Sequence, residues 1–298
     1  MKKTVYILIG VAGVGKSTYT EKHSTSNSII LSSDSIREEL FGTLAMQDKD
    51  SHTKVFDLMN SRLKNALTDK QPTEIFYDAT NLKRNRRSHL YRTIKSINKE
   101  ADVVCLVFSK PLEKIIEQNN QREGLKRVPE AEIRRMYKSL EVPKIGVDCD
   151  RMELASSVDI SDFEPEFAGD TTHDSNYHKE TVREHINMTI RNAKQTKDEA
   201  LIKIARFHDL GKFICKQYIE EKGIARFIDH EKVSAMYHFV AMQNDFSEEN
   251  LLILEVIFQH MQCHNGFSDK YINKHKLTKK ELSVLSAFAK IDDISRIV

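Results

Sequence analysis

Two short stretches place residues capable of chemistry at a telling spacing. "LIGVAGVGKST" (residues 8–18) sets Gly10, Gly13, Gly15, Lys16 and Ser17 in the pattern GxxxxGK[ST], with Val14 and Thr18 completing the loop. Glycines permit a sharp turn whose backbone N–H groups face phosphate oxygens, and a helix opening near Lys16 adds its dipole. Lys16 would neutralise β- and γ-phosphate charge and the Ser17 hydroxyl would ligate Mg²⁺, so ATP with Mg²⁺ is the expected ligand. The pattern is specific only after a strand and before a helix, and "TVYILIG" supplies that strand. "ARFHDLGK" (residues 205–212) instead sets His208 beside Asp209. Further His and Asp positions surround it in sequence: His178 and His185, His230, His260 and His264, Asp292 and Asp293. Nitrogen-rich donors of this kind suit Mn²⁺, Ni²⁺ or Co²⁺ rather than Mg²⁺.

The elements that must position these residues change character midway. Short apolar runs ("TVYILIG", "SIILSS", "EIFYDA", "DVVCLVF") alternate with amphipathic stretches of helical length, which implies a parallel sheet covered by helices. From about Asn176 onward helical periodicity dominates, and nine of the 12 histidines follow residue 170. "DISDFEPEFAGDTTHDSNYH" reads as a linker. The expected organisation is an α/β domain over residues 1–163 and an all-α domain over residues 170–298.

Bulk properties narrow the classes. The chain has 298 residues, 40% hydrophobic and 30% charged, which is a soluble globular composition. No apolar run is long enough for a membrane span, and the start reads as a first strand rather than a signal peptide. Cys105, Cys149, Cys215 and Cys263 form no CxxC pair, so reduced cysteines and a cytoplasmic location are expected. A net charge of +2 argues against coating long DNA but allows a local basic channel.

The acceptor side of the first site is read from three segments. In "SSDSIR", Asp34 stands at the carboxyl end of the second strand, where it can accept a proton from an attacking hydroxyl. Arg37, three residues on, can grip a neighbouring phosphate. In "FYDATNLKRNRR", Asp78 ends another strand, where it can orient Mg²⁺-bound water or the acceptor-site arginine. Asn81 follows, with Lys83, Arg84, Arg86 and Arg87 as either a solvated helix face or a phosphate track. "QREGLKRVPE" reads as a lid whose Arg122 and Arg127 would stabilise charge on the transferring phosphoryl group.

These motifs resemble the P-loop polynucleotide 5′-hydroxyl kinases of RNA repair over roughly residues 1–160. The resemblance implies Asp34 as general base, and Arg37 and Asp78 as acceptor-site residues. The later series H…HD…H…H…D resembles the HD phosphohydrolase superfamily, an all-helical metal-dependent fold, over about residues 176–298. It implies His185, His208, Asp209, His230, His260 and Asp292 as ligands, with Asp293 as a possible substitute for Asp292. It also implies Lys212 and His178 as contacts to substrate phosphate, with His264 a bystander. Two ions bridged by Asp209 would supply an acidified water for hydrolysis at phosphorus.

Together the resemblances imply an end-healing enzyme acting on nucleic-acid ends, RNA favoured. It would form a 5′-phosphate and remove a 2′,3′-cyclic or 2′/3′-phosphate ahead of a separate ligase. The sequence carries no signal for oligomeric state. A nucleoside or metabolite kinase fused to a nucleotidase, and an ATP-gated sensor, are the alternatives. Asp34 argues against the sensor, which needs no acceptor-side base.

Overall fold

The computed structural model describes residues 2–45, 48–175 and 178–297. Asn176, where the sequence pattern changes, lies outside the described residues. The chain divides into two compact units, Met1–Tyr137 with Pro143–Ser157, and Lys138–Val142 with Val158–Val298.

The first unit is built on five parallel strands in the order β2-β3-β1-β4-β5. They are β1 (Thr4–Ile9), β2 (Ser28–Ser32), β3 (Glu74–Asp78), β4 (Asp102–Val107) and β5 (Arg151–Leu154). Val5, Ile7, Ile75, Val103 and Val104 are wholly buried, the unbroken apolar character of strands covered on both faces. Helices α1 (Lys16–His23), α2 (Ser33–Phe41), α3 (Lys49–Thr68), α4 (Arg84–Ile97), α5 (Leu112–Asn120) and α6 (Glu130–Ser139) complete the alternation. Register aligns the carboxyl ends: Ile7 pairs with Tyr77, and Ser32 with Asp78. The loop after β1, the start of α2 and the end of β3 therefore meet at one sheet edge. The fifth strand was not expected. It is four residues long and half polar ("RMEL"), as an edge strand allows.

The second unit is chiefly helical: α7 (Glu164–Phe167), α8 (Val182–Gln195), α9 (Glu199–Phe207), α10 (Lys212–Cys215), α11 (His230–Ala241), α12 (Glu248–Gln259), α13 (Asp269–His275) and α14 (Lys279–Asp293). Reciprocal capping boxes start α8 (Thr181 with Glu184) and α14 (Thr278 with Glu281). Helix α12 is buried at every position from Leu252 to Gln259, so it forms the core of this unit.

Two expectations need correction. The unit is not wholly helical, because β6 (Gln217–Ile219) and β7 (Ile224–Arg226) pair as an antiparallel hairpin. It also begins earlier than residue 170. Phe163 is fully buried and meets the Tyr237 ring at 5.7 Å, while the Tyr237 hydroxyl donates to Glu166 at 2.7 Å. Those contacts fold the front of the expected linker into the helical core.

Candidate functional sites

In the first unit, Gly15 precedes α1 with φ of 110°, a conformation that a side chain would strain. The turn bends the loop back on itself, and Lys16 Nζ donates to the carbonyls of Gly10 (2.9 Å) and Val11 (3.0 Å). Burial lowers the Lys16 pKa to about 8; Asp78 and Asp34 pull it upward and Arg122 adds to the lowering. Lys16, Asp34, Asp78 and Arg122 thus share one electrostatic neighbourhood. Burial raises the Asp78 carboxyl; Lys16 opposes that rise, Asp34 adds to it, and a hydrogen bond from the Ser17 hydroxyl also opposes it. Ser17 and Asp78 offer oxygen donors side by side, the ligand type Mg²⁺ takes. Val14 is buried, whereas Ser17 and Thr18 are exposed.

Asp34 lies in the first turn of α2 rather than on the strand, because Ser32 caps that helix. Its carboxylate is 72% exposed and accepts from Arg37 Nη1 at 2.7 Å, the two residues being one helical turn apart. In the arginine-bearing segment, Arg122 donates to the Lys126 carbonyl (3.1 Å) and Arg127 to Asn120 Oδ1 (3.0 Å). Sequence reasoning missed Asn119. Its buried amide accepts from Val128 N (2.9 Å) and donates to Val128 O (2.8 Å), which fastens both ends of this segment.

Neither reading of the basic cluster fits all its members. Arg84 and Arg87 lie on the inward stripe of α4 with Leu90 and Ile94. Arg87 Nε pairs with Asp148 at 2.8 Å, both side chains fully buried. Arg87 also donates to the carbonyls of Asn81 (2.7 Å) and Leu82 (3.0 Å), and Asn81 Nδ2 reaches the Leu8 carbonyl at 2.7 Å. These residues brace the loops that carry the site.

In the second unit, four histidines share one construction. Their Nδ1 atoms rest on backbone oxygens: His185 on Ser295 (3.2 Å), His208 on Ala205 (3.0 Å), His230 on Phe227 (2.7 Å) and His260 on Ile257 (2.7 Å). A carbonyl only accepts, so each Nδ1 carries a proton, and the Nε2 of a neutral ring is left as a donor for a cation. Asp209 divides them. Its Oδ2 lies 3.5 Å from His185 Nε2 and 3.3 Å from His208 Nε2. Its Oδ1 lies 3.2 Å from His230 Nε2 and 3.7 Å from His260 Nε2. Two buried triads result, His185/His208/Asp209 and Asp209/His230/His260.

Asp292 joins the first triad through Oδ1, 2.9 Å from His185 Nε2 and 3.4 Å from His208 Nε2. Asp293 is largely exposed and pairs with Arg296 at 3.0 Å. Burial disfavours a proton on His208, yet Asp209 and Asp292 outweigh it and push the ring up to about 10. Both carboxylates are held well below the usual range despite burial, Asp209 by Lys212 and His208, Asp292 by His185 and His208. Four imidazoles and two carboxylates converge there, and that donor set fits transition-metal ions.

Sequence spacing misleads in two places here. Seven residues on one helix would set His178 and His185 two turns, about 10.5 Å, apart. His178 instead precedes α8, and the two ring centroids are 5.2 Å apart. His260 and His264 do not share an α-helical face, because a 3₁₀ turn runs from His260 to Asn265. His264 nevertheless lines the cavity over the cluster, with its Nε2 4.0 Å from Asp292 Oδ2. That cavity, about 210 Å³, is also lined by His178, Lys212, Met261 and Arg296.

Sequence reasoning also missed His173, Glu180 and Gly211. His173, His178 and Glu180 form a third group of potential ligands. His178 Nδ1 lies 2.6 Å from Glu180 Oε1. A Cβ on Gly211 would stand 2.1 Å from the His230 carbonyl oxygen, so only glycine lets the His208–Asp209 turn approach α11. "HDLGK" carried that signal in its fourth residue.

None of the curated proteins matches the chain. Among solved structures, one titled "Structure of Pnkp1/Rnl/Hen1 complex" is similar at 22% identity and a TM-score of 0.35, over 39% of this chain and 38% of that one. Another, "Structure of the Pnkp1/Rnl/Hen1 RNA repair complex", is similar at 18% identity and a TM-score of 0.37, over 45% of this chain and 43% of that one. The chain therefore spans less than half the length of either. Residues 5–143 match the family model AAA_33, described as an AAA domain. The matched residues take in the GxxxxGK[ST] loop and the first four strands of the parallel sheet.

Proposed function

We propose that the chain heals nucleic-acid ends: the first unit phosphorylates a 5′-hydroxyl from ATP, and the second is an HD-type metal-dependent phosphohydrolase that removes a 2′,3′-cyclic or 2′/3′-phosphate. On this reading Asp34 takes the proton from the attacking hydroxyl. Arg37, 2.7 Å from it, holds the adjoining phosphate. Lys16 and the arginines Arg122 and Arg127 neutralise the transferring phosphoryl group, while Ser17 and Asp78 hold Mg²⁺.

The division of Asp209 between two imidazole pairs carries the second half of the proposal. Ions held there would acidify a water and offset charge on phosphate. Asp209, Asp292 and the four histidines would hold those ions. Lys212 would face the phosphate, its position set by contact with Asp209 Oδ2 at 2.7 Å. RNA is favoured because cyclic phosphates arise when RNA is cleaved at its 2′-hydroxyl, and the healed ends are what a separate ligase joins.

The test is phosphate transfer from labelled ATP to a 5′-hydroxyl oligonucleotide, run beside phosphate release from 2′,3′-cyclic and 3′-phosphate oligonucleotides across a metal series. A competing reading follows from the chemistry of the site, since the phosphate of a free mononucleotide offers Lys212 and the Asp209 centre the same oxygens as a chain end. Release from mononucleotides alone would make the second unit a nucleotidase.

A further inference from the structure

His173 falls outside the H…HD…H…H…D series, yet it is only 2% exposed. His185 and Phe227 pack edge-on against its ring, each with centroids 5.8 Å away, and three further contacts orient it. Nδ1 lies 2.9 Å from the backbone oxygen of Glu180, which can only accept, so Nδ1 carries the proton. Nε2 is then an acceptor, and Lys212 Nζ stands 3.2 Å from it. His178 stacks on the ring with centroids 4.2 Å apart.

Lys212 is consequently held from two directions, by Asp209 Oδ2 at 2.7 Å and by His173 Nε2. An ammonium has three protons, and these two partners take two of them. Nζ also stands 5.6 Å from the Phe227 ring centroid; Lys212 lines the cavity over the metal-ligand cluster, and its third proton is left for a stronger acceptor there. A lysine is a compact charge on a flexible stem. Held by Asp209 alone it would pivot about that carboxylate. The imidazole removes that freedom.

We propose that His173 is a positioning residue: its Nε2 holds Lys212 so that the remaining N–H meets a phosphoryl oxygen of a phosphate monoester or cyclic phosphodiester bound at the Asp209 centre. The inference rests on the phosphohydrolase reading of that centre.

The test uses the metal-loaded full chain. His173→Phe keeps a ring against His178 and removes both hydrogen bonds; His173→Gln restores an acceptor. Loss of one preorganised donor to a reacting phosphate typically costs about 10²–10³-fold, which is the expectation for Lys212→Ala. His173→Phe should cost about tenfold in kcat/KM with bound metal per chain unchanged, and His173→Gln should recover part of it. The double variant should be no slower than Lys212→Ala alone, because the two residues act as one unit. A double variant slower by the full additional factor overturns the proposal.

Long-range ¹H–¹⁵N spectra of the wild type and Lys212→Ala need no His173 variant. They should show an Nδ1-protonated His173 whose Nε2 resonance moves when Lys212 is removed. An Nε2-protonated ring, or an unmoved resonance, refutes the arrangement. A wild type that releases no phosphate from any of these substrates refutes the phosphohydrolase reading instead, and the spectra still decide whether His173 holds Lys212.

Discussion

Asp209→Ala is the substitution with the widest expected reach. Its two carboxylate oxygens face different imidazole pairs, at 3.3 and 3.5 Å on one side and 3.2 and 3.7 Å on the other. Removing it leaves each triad with two histidines, and Asp292 compensates only beside His185 and His208. Partners that merely orient metal ligands cost about 10–100-fold in affinity when lost. A ligand shared by two ions should cost at least that at each, or about 10²–10⁴-fold combined. The expected stoichiometry falls from two ions per chain to none, whereas His230→Ala, which touches one triad, should leave one. Elemental analysis after desalting counts the ions, and calorimetry with Mn²⁺ gives the affinities. Phosphate release should disappear in Asp209→Ala while 5′-phosphorylation persists, since Lys16, Asp34, Arg37 and Asp78 all belong to the first unit. Two ions retained in Asp209→Ala, or full hydrolysis after exhaustive chelation, would refute the shared-ligand argument.

In the first unit, Lys16→Ala and Asp34→Ala should each abolish 5′-phosphorylation, with about 10²–10⁴-fold attributable to the lost base in Asp34→Ala. Calorimetry should find ATP binding nearly intact in Asp34→Ala, and a near-normal kinase rate there would sink its assignment as the base. Arg87→Ala leaves Asp148 charged and fully buried, so urea titration should register a loss of about 3–5 kcal/mol; an unmoved midpoint would contradict this. His238, in the core of the second unit, has its pKa pushed down to about 4 by burial, against about 6.5 when unfolded. The unfolded chain binds the extra proton between those values, so stability is full above about pH 6.5 and falls as pH drops toward 4. That amounts to about 1 kcal/mol at pH 5.5. Urea titrations at pH 7.5 and 5.5 should show a smaller difference in His238→Leu, and an equal difference would refute the assignment.

The fold was legible where local pattern and burial agree. Four strands stood out because each is apolar along its length. The fifth, Arg151–Leu154, did not, because it is four residues long and alternates polar with apolar. The motif residues were legible because their spacing is fixed by one turn or one helix start. What spacing could not convey was direction. Arg84 and Arg87 looked like surface charge until α4 turned them inward, and the acid that receives Arg87 lies 61 residues away. His178 and His185 are seven residues apart, yet α8 begins only at Val182, so no helical spacing relates them. His173 had no motif at all. Its significance comes from a backbone carbonyl and a lysine 39 residues on, a relation that only the folded chain creates.

The two centres differ in donor chemistry in a way that bears on why one chain would carry both. At the phosphate loop the protein offers a hydroxyl and a carboxylate, Ser17 and Asp78, while Lys16 and Arg122 bring cationic nitrogen rather than a lone pair. Hard oxygen donors leave Mg²⁺ its waters and the phosphates of ATP. Around Asp209 four imidazoles present Nε2, each fixed by a carbonyl behind it, and that set discriminates toward softer, stronger-binding ions. Neither ion should displace the other from its own centre at ordinary concentrations. On the proposed reading the two reactions then proceed side by side on the two ends of one break, one adding a phosphate and one removing it. The products, a 5′-phosphate and a 3′-hydroxyl, are useful to a ligase only as a pair, which is a reason to encode both centres in a single chain.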